Sequence, residues 1–174
     1  MRAGRARIDP QKTLVGFVVG DIRYALDIAV VLQIVQPLEL APLPHLPEAV
    51  MGVADYRGDV VPVIDLRVRF GLPPAPPSRR TKWIVASVSG QAAALVVDAV
   101  TDVFGTKGAE LRPAPGLGGG DDRRGILGVT MQDEKLTFVL DVARLRPLVD
   151  SVASGLRTPG SHRLSHPPAP RGAT

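Results

Sequence analysis

The chain has 174 residues, 45% of them hydrophobic and only 4% aromatic, with a formal net charge of +4 and no cysteine. This length supports one hydrophobic core, or a core shared by two small lobes, and the lack of cysteine excludes disulfides and thiolate catalysis. Residues 1–12 and 151–174 each carry a net charge of +3, which leaves residues 13–150 at −2, so the body has no net positive field for binding a phosphate backbone.

Five apolar runs of strand length fall in the first half of the chain. Turns or proline-bearing loops separate them, and they cover residues 14–19, 22–27, 31–35, 51–56 and 60–66. The last two runs face each other across Arg57-Gly58-Asp59, where Gly58 can adopt the positive φ that a tight hairpin needs. Asp65 then follows the hairpin and can cap a short helix over residues 66–70.

The same order of elements recurs in the second half. Its apolar runs cover residues 83–88, 92–97, 100–104, 125–131 and 136–140, and a short terminal helix is predicted over residues 142–149. Asp98 and Asp141 stand where Asp27 and Asp65 stand in the first half, at an offset of roughly seventy residues. Each half supplies about five strand segments, the number at which short, twisted antiparallel sheets tend to close. The predicted fold is therefore all-β, with two linked small β-barrels and short helices.

The two ends are predicted to lie outside this body of residues 13–150. Residues 1–12 form a disordered basic arm, and residues 151–174 form a disordered tail rich in Pro, Ser and Arg. The apolar run after the basic arm is too short for a signal peptide core or a membrane span. We therefore expect a soluble cytoplasmic protein without direct membrane insertion.

The sequence contains no convincing catalytic group, and we expect neither a metal nor a cofactor. His162 and His166 have the i, i+4 spacing of metal ligands on a helix, but they lie in the tail without a carboxylate partner. The aspartates that follow strand runs are typical of helix and turn caps; they are Asp27, Asp65, Asp98 and Asp141. An enzyme built on them lacks a neighbouring base or metal, so binding is the remaining route to function.

The hairpin over residues 52–67, Gly-Val-Ala-Asp-Tyr-Arg-Gly-Asp-Val-Val-Pro-Val-Ile-Asp-Leu-Arg, resembles the signature of CheW-like domains, the adaptors of bacterial chemosensory pathways. Motifs at residues 17–21, 95–100 and 111–115 resemble the same family in the same order. The resemblance runs from Thr13 to Val149 and implies two five-stranded SH3-like β-barrels packed on a common core.

The resemblance also implies a function, that of a scaffold through which kinase activity follows receptor state. The implied partners are the regulatory domain of a CheA-type histidine kinase and the cytoplasmic hairpin tip of a chemoreceptor, with other CheW-like domains as further candidates. Through its receptors such a protein would reside at the inner face of the membrane.

Five residues match family positions involved in protein binding. Arg57 matches the arginine of the family's Asn-Leu-Arg-Gly hairpin, which is tied to partner coupling, and Gly52 matches the glycine that opens the preceding strand. Val31, Gln33 and Ile34 match the family's Val-x-Glu-Ile run. Val31 and Ile34 could instead belong to the core, and Gly52 could serve strand geometry alone.

The chain departs from the family pattern close to these positions. Gln33 replaces the usual glutamate and removes a charge that could pair with a partner cation. Asp55 and Tyr56 replace the usual Asn-Leu. These changes do not threaten the fold, but they leave open which partners the chain serves.

A nucleic-acid-binding small barrel that uses the basic tails is the alternative function. It would bind DNA or RNA with a steep dependence on salt, and the binding would be lost on trimming both tails. The low aromatic content argues against a platform for base stacking.

Overall fold

The computed structural model describes residues 12–106, 111–113 and 125–156. Two five-stranded sheets make up most of this part of the chain. Their strands are β1 (Thr13–Val19), β2 (Ile22–Asp27), β3 (Val31–Val35), β4 (Val50–Tyr56), β5 (Asp59–Asp65), β6 (Lys82–Val88), β7 (Gln91–Val97), β8 (Ala99–Gly105), β9 (Ile126–Gln132) and β10 (Lys135–Leu140). Every predicted strand is present, and the all-β fold of two five-stranded SH3-like barrels is confirmed.

The two lobes do not correspond to the two halves of the sequence. Lobe A has the strand order β8-β1-β2-β10-β9, and lobe B has the order β3-β6-β7-β5-β4. The first hairpin of each half is therefore paired with the last three strands of the other half. The two halves are connected by parallel pairing of β2 with β10 and of β5 with β7, and by antiparallel pairing of β1 with β8 and of β3 with β6. The interpretation that each half builds its own barrel was wrong.

The main core is shared by the two lobes. Its buried side chains come from both sheets and from the C-terminal helix, and include Phe17, Tyr24, Ile64, Leu95 and Val149. Successive residues on a strand point to opposite faces, so the remaining side chains of lobe B form a second cluster around Val61, Val63, Trp83, Val85 and Ala94. Burial on both faces explains why β5, β6 and β7 are almost continuously apolar.

Short helices follow the strands where the aspartates predicted them. Asp65 Oδ1 accepts from the Arg67 amide at 2.8 Å and caps α1 (Leu66–Arg69). Asp27 and Asp141 cap the 3₁₀ helices Ile28–Val30 and Val142–Leu145 in the same way. These three capping predictions are confirmed. No helix among the described residues is long and apolar enough to cross a bilayer.

Asp98 does not cap a helix, because β8 begins directly after it at Ala99. Its carboxylate instead accepts from the Gly20 amide at 2.7 Å and pairs with Arg67 Nη1 at 2.6 Å. Gly20 lies in the β1–β2 turn of lobe A, whereas Arg67 lies on α1 after β5 of lobe B. Asp98 therefore ties the two lobes together at the point where the chain crosses between them.

The terminal helix extends beyond the predicted body. The α2 helix (Arg146–Leu156) continues past residue 150 because Val152 is 3% exposed and packs in the shared core. Lys12, assigned to the basic arm, pairs with Asp27 at 3.1 Å beside β1. The rest of the arm, most of the glycine-rich loop before β9, and the tail with His162 and His166 lie outside the described residues.

Candidate functional site

The tip of the β4–β5 hairpin presents one exposed cation. Arg57 and Gly58 have φ of +53° and +86°, the pair of positive values that a two-residue hairpin turn of the I′ type requires. Asp55 Oδ1 accepts from the Gly58 amide at 2.8 Å and stabilises the turn. Among the described residues Arg57 makes no ion pair, and its guanidinium carbon lies 5.4 Å from the centroid of the Tyr56 ring.

Strand β3 contacts β4 of this hairpin, although β3 and β4 are the two edge strands of the sheet in lobe B. The Tyr56 hydroxyl donates to Gln33 Oε1 at 2.9 Å, and the Tyr56 ring packs on the same cluster as Val35 of β3. The sheet is therefore curled so that side chains of its two edge strands meet. Gln33 and Tyr56, two of the residues that depart from the family pattern, are in direct contact.

The predicted residues of β3 divide between the core and the surface. Val31 is partly buried and packs against the shared core, whereas the side chain of Ile34 is exposed. Leu32, which the sequence reasoning did not single out, is more exposed than Ile34, at 53% against 37%. The period of two along a strand could have revealed it, because Leu32 and Ile34 are two residues apart and therefore share a face.

Gly52 is buried, so it supports the site without forming part of its surface. Its φ is +149°, and a Cβ there would lie 2.4 Å from the carbonyl oxygen of Ala41. The absence of a side chain lets Ala41 pair with Val53 through two backbone hydrogen bonds of 2.8 and 2.9 Å. The structure thus supports the strand-geometry explanation of Gly52.

Three exposed apolar side chains lie on the strands that form this site. Leu32 and Ile34 project from β3, and Val60, at 61% exposed, follows the turn on β5. Exposed apolar side chains and an exposed cation can together dock a protein surface. We call the surface formed by Leu32, Gln33, Ile34, Tyr56, Arg57 and Val60 the hairpin-tip surface.

Lobe A contains a related arrangement with different chemistry. Gln132 ends β9 as Tyr56 ends β4, and its side-chain amide donates to Asp102 on β8. Asp133 follows Gln132 as Arg57 follows Tyr56, and it also has a positive φ, of +47°. The contact between the edge strands is therefore common to both lobes, whereas the aromatic ring and the cation belong to lobe B alone.

The described residues contain no group of three or more His, Cys, Asp or Glu side chains that could hold a metal ion. Burial lowers the pKa of the Arg69 guanidinium, whose Nε lacks a hydrogen-bond partner among the described residues. Arg69 lies at the end of α1, away from the hairpin tip in the sequence.

Fold and surface together define the class of this protein: an all-β binding module of two fused SH3-like barrels with an arginine at one hairpin tip. The sequence model of the CheW-like domain matches residues 13–148, and the chain belongs to the CheW-like domain family.

The chain is similar to several relatives over most of their length. The chain is 31% identical over 145 residues to the chemotaxis protein CheW of Helicobacter pylori, covering 82% of this chain and 87% of that protein. It is 34% identical over 128 residues to the protein FrzA of Myxococcus xanthus, covering 74% and 79%. The crystal structure of the scaffolding protein TtCheW from Thermoanaerobacter tengcongensis is similar with a TM-score of 0.68 and 29% identity, covering 75% of this chain and 89% of that one.

Proposed function

We propose that this protein is a non-enzymatic adaptor that couples chemoreceptors to a CheA-type histidine kinase in a chemosensory complex. The observation that carries the proposal is the match of the CheW-like domain to residues 13–148, which spans both lobes. The relatives include proteins named for chemotaxis and a structure named as a scaffold. Neither the family nor the relatives support the nucleic-acid alternative.

The kinase regulatory domain is the proposed partner of the hairpin-tip surface. Arg57 is exposed there and free of intramolecular ion pairs in the described part of the chain, so its guanidinium can pair with a carboxylate of another protein. Ile34 and Leu32 supply exposed apolar area on β3. Val31 and Gly52 act from beneath the surface, by packing and by strand geometry.

The receptor tip is the second proposed partner, and other CheW-like domains are further candidates. The protein would act in the cytoplasm, at the inner face of the membrane through the receptors. Its acting unit would be residues 13–150 as one domain of two lobes, extended by the rest of α2. Because Asp98 joins the lobes, both partners would be held on one rigid support.

The test is a binding titration against the regulatory domain of the CheA-type kinase encoded in the same genome. Arg57→Glu reverses the charge at the hairpin tip, and we expect the affinity to fall by about tenfold or more. Arg80→Glu is the matched control, since Arg80 is exposed in the loop before β6 and has no ion pair among the described residues. Equal affinity for both variants would remove Arg57 from the proposed interface.

A further inference from the structure

We propose that Tyr56 is a positioning residue: held by Gln33, it orients the Arg57 guanidinium so that the hairpin offers a prearranged cation to a carboxylate of the partner. This inference rests on the proposed function and deepens it. It gives two of the departures from the family pattern, Gln33 and Tyr56, one joint role.

The first step is that Tyr56 itself is fixed. Its ring packs on the lobe B cluster formed by Val61, Val63 and Trp83, and its hydroxyl donates to Gln33 Oε1 at 2.9 Å. The ring is thus anchored at one side by apolar contacts and at its end by the hydrogen bond that its hydroxyl donates to the opposite edge strand. Such a ring has little freedom to rotate away.

The second step is that the fixed ring holds Arg57. The guanidinium carbon lies 5.4 Å from the ring centroid, within the range of a cation–π contact. A cation–π contact does not consume the N–H groups that point away from the ring, so these donors stay available. An edge with parallel N–H donors matches a carboxylate in a bidentate arrangement.

The third step concerns the cost of binding. A free arginine side chain loses much rotamer freedom when it is immobilised at an interface. A guanidinium held over the Tyr56 ring has lost part of that freedom already, so less is lost when the partner binds. Gln33 contributes by being neutral. A glutamate at this position would place a carboxylate beside the Tyr56 hydroxyl, where it would compete with the partner's carboxylate for the Arg57 guanidinium.

Lobe A separates the structural part of this arrangement from the functional part. The Gln132–Asp102 contact joins its edge strands without any ring, and Asp133 stands in place of the arginine. Closing the two edge strands therefore does not require an aromatic residue. Besides packing on the lobe B cluster, the ring at position 56 is therefore available to hold the cation beside it.

The experiment is a double-mutant cycle on binding to the kinase regulatory domain, measured by calorimetry. We expect Tyr56→Leu to weaken binding about two- to fivefold, the fold-change that corresponds to an exposed cation–π contact. In an Arg57→Ala background the same change should have no further effect, because the ring acts through Arg57. Losses that add fully, or no loss from Tyr56→Leu, would overturn the proposal.

Two further variants keep the test independent of folding. Tyr56→Phe retains the ring and removes the hydrogen bond to Gln33, and it should lose less affinity than Tyr56→Leu. Gln33→Leu removes the acceptor and should match Tyr56→Phe. If Tyr56→Phe binds as weakly as Tyr56→Leu, the ring has no role of its own and the proposal fails.

Nuclear magnetic resonance relaxation at Arg57 Nε tests the orientation without any partner. We expect a restricted Arg57 side chain in the wild type and in Tyr56→Phe, and a freely moving one in Tyr56→Leu. Equal mobility in wild type and Tyr56→Leu would overturn the inference even if the kinase domain binds. A restricted Arg57 together with no kinase binding would instead overturn the proposed function.

Discussion

Replacing Gly52 with alanine should destabilise the fold severely. The added Cβ would lie 2.4 Å from the Ala41 carbonyl oxygen and 3.1 Å from the Pro42 Cα, both of them backbone atoms that cannot rotate away. The φ of +149° is also strained for a residue with a side chain, at about 1–3 kcal/mol. Loss of the two hydrogen bonds between Ala41 and Val53 adds about 0.5–1.5 kcal/mol each. We expect the free energy of unfolding to fall by about 2–6 kcal/mol.

Denaturant unfolding of three alanine variants measures this. Gly58→Ala shares a positive φ, +86°, but its Cβ would meet nothing within 4 Å, so it reports the cost of the backbone conformation alone. Gly105→Ala has neither feature and should change stability by less than about 0.5 kcal/mol. If Gly52→Ala costs no more than Gly58→Ala, the close approach of Ala41 is not what demands glycine.

Two other changes test features that the sequence did not reveal. Asp98→Ala should lower the free energy of unfolding by about 1–2 kcal/mol in a denaturant titration, since it removes a partly exposed ion pair with Arg67 and the hydrogen bond from the Gly20 amide. As a control, Asp150→Ala breaks an exposed i,i+4 ion pair and should cost about 0.3–0.5 kcal/mol. Equal costs for the two variants would contradict the role of Asp98 in joining the lobes. Val152→Ala should cost about 1–2 kcal/mol in the same assay because it removes buried methyl groups from the core. The exposed Leu156→Ala should cost less than about 0.5 kcal/mol, and a neutral Val152→Ala would mean that α2 beyond residue 150 is not part of the fold.

The local elements could be predicted from the sequence because their determinants are local. Gly58 supplies the turn of the β4–β5 hairpin, and Asp65 caps the helix that follows it by accepting from the amide two residues later. Period-two alternation and β-branched residues mark the strands wherever they lie. These signals need only a few neighbouring residues, so the strand bounds agree with the prediction to within a residue or two.

Strand pairing could not be predicted, because the two halves of the sequence carry the same pattern. Alternation decides which side chains are buried, but it does not decide which strand lies beside which. A barrel built within one half would bury the same residues as the exchanged arrangement. Asp98 shows the same limit at the level of one residue. It stands where Asp27 does, yet a strand follows it, and its carboxylate bonds to Gly20, which is 78 residues away.

The candidate site was predicted in part, through its resemblance to a family pattern. Arg57 and Ile34 are exposed as that pattern implies, whereas Val31 and Gly52 lie inward. The contact between Tyr56 and Gln33 spans 23 residues and depends on the curling of the sheet, which no local pattern encodes. The role of each residue in binding stays a prediction.

The most direct test of the account is reconstitution of signalling from purified parts. A CheA-type kinase and a chemoreceptor from the same genome are combined with and without this protein, and kinase autophosphorylation is followed as receptor ligand is added. We predict that autophosphorylation responds to the ligand only when the protein is present, and that Arg57→Glu weakens the response. A kinase that follows the receptor equally well without this protein would contradict the account.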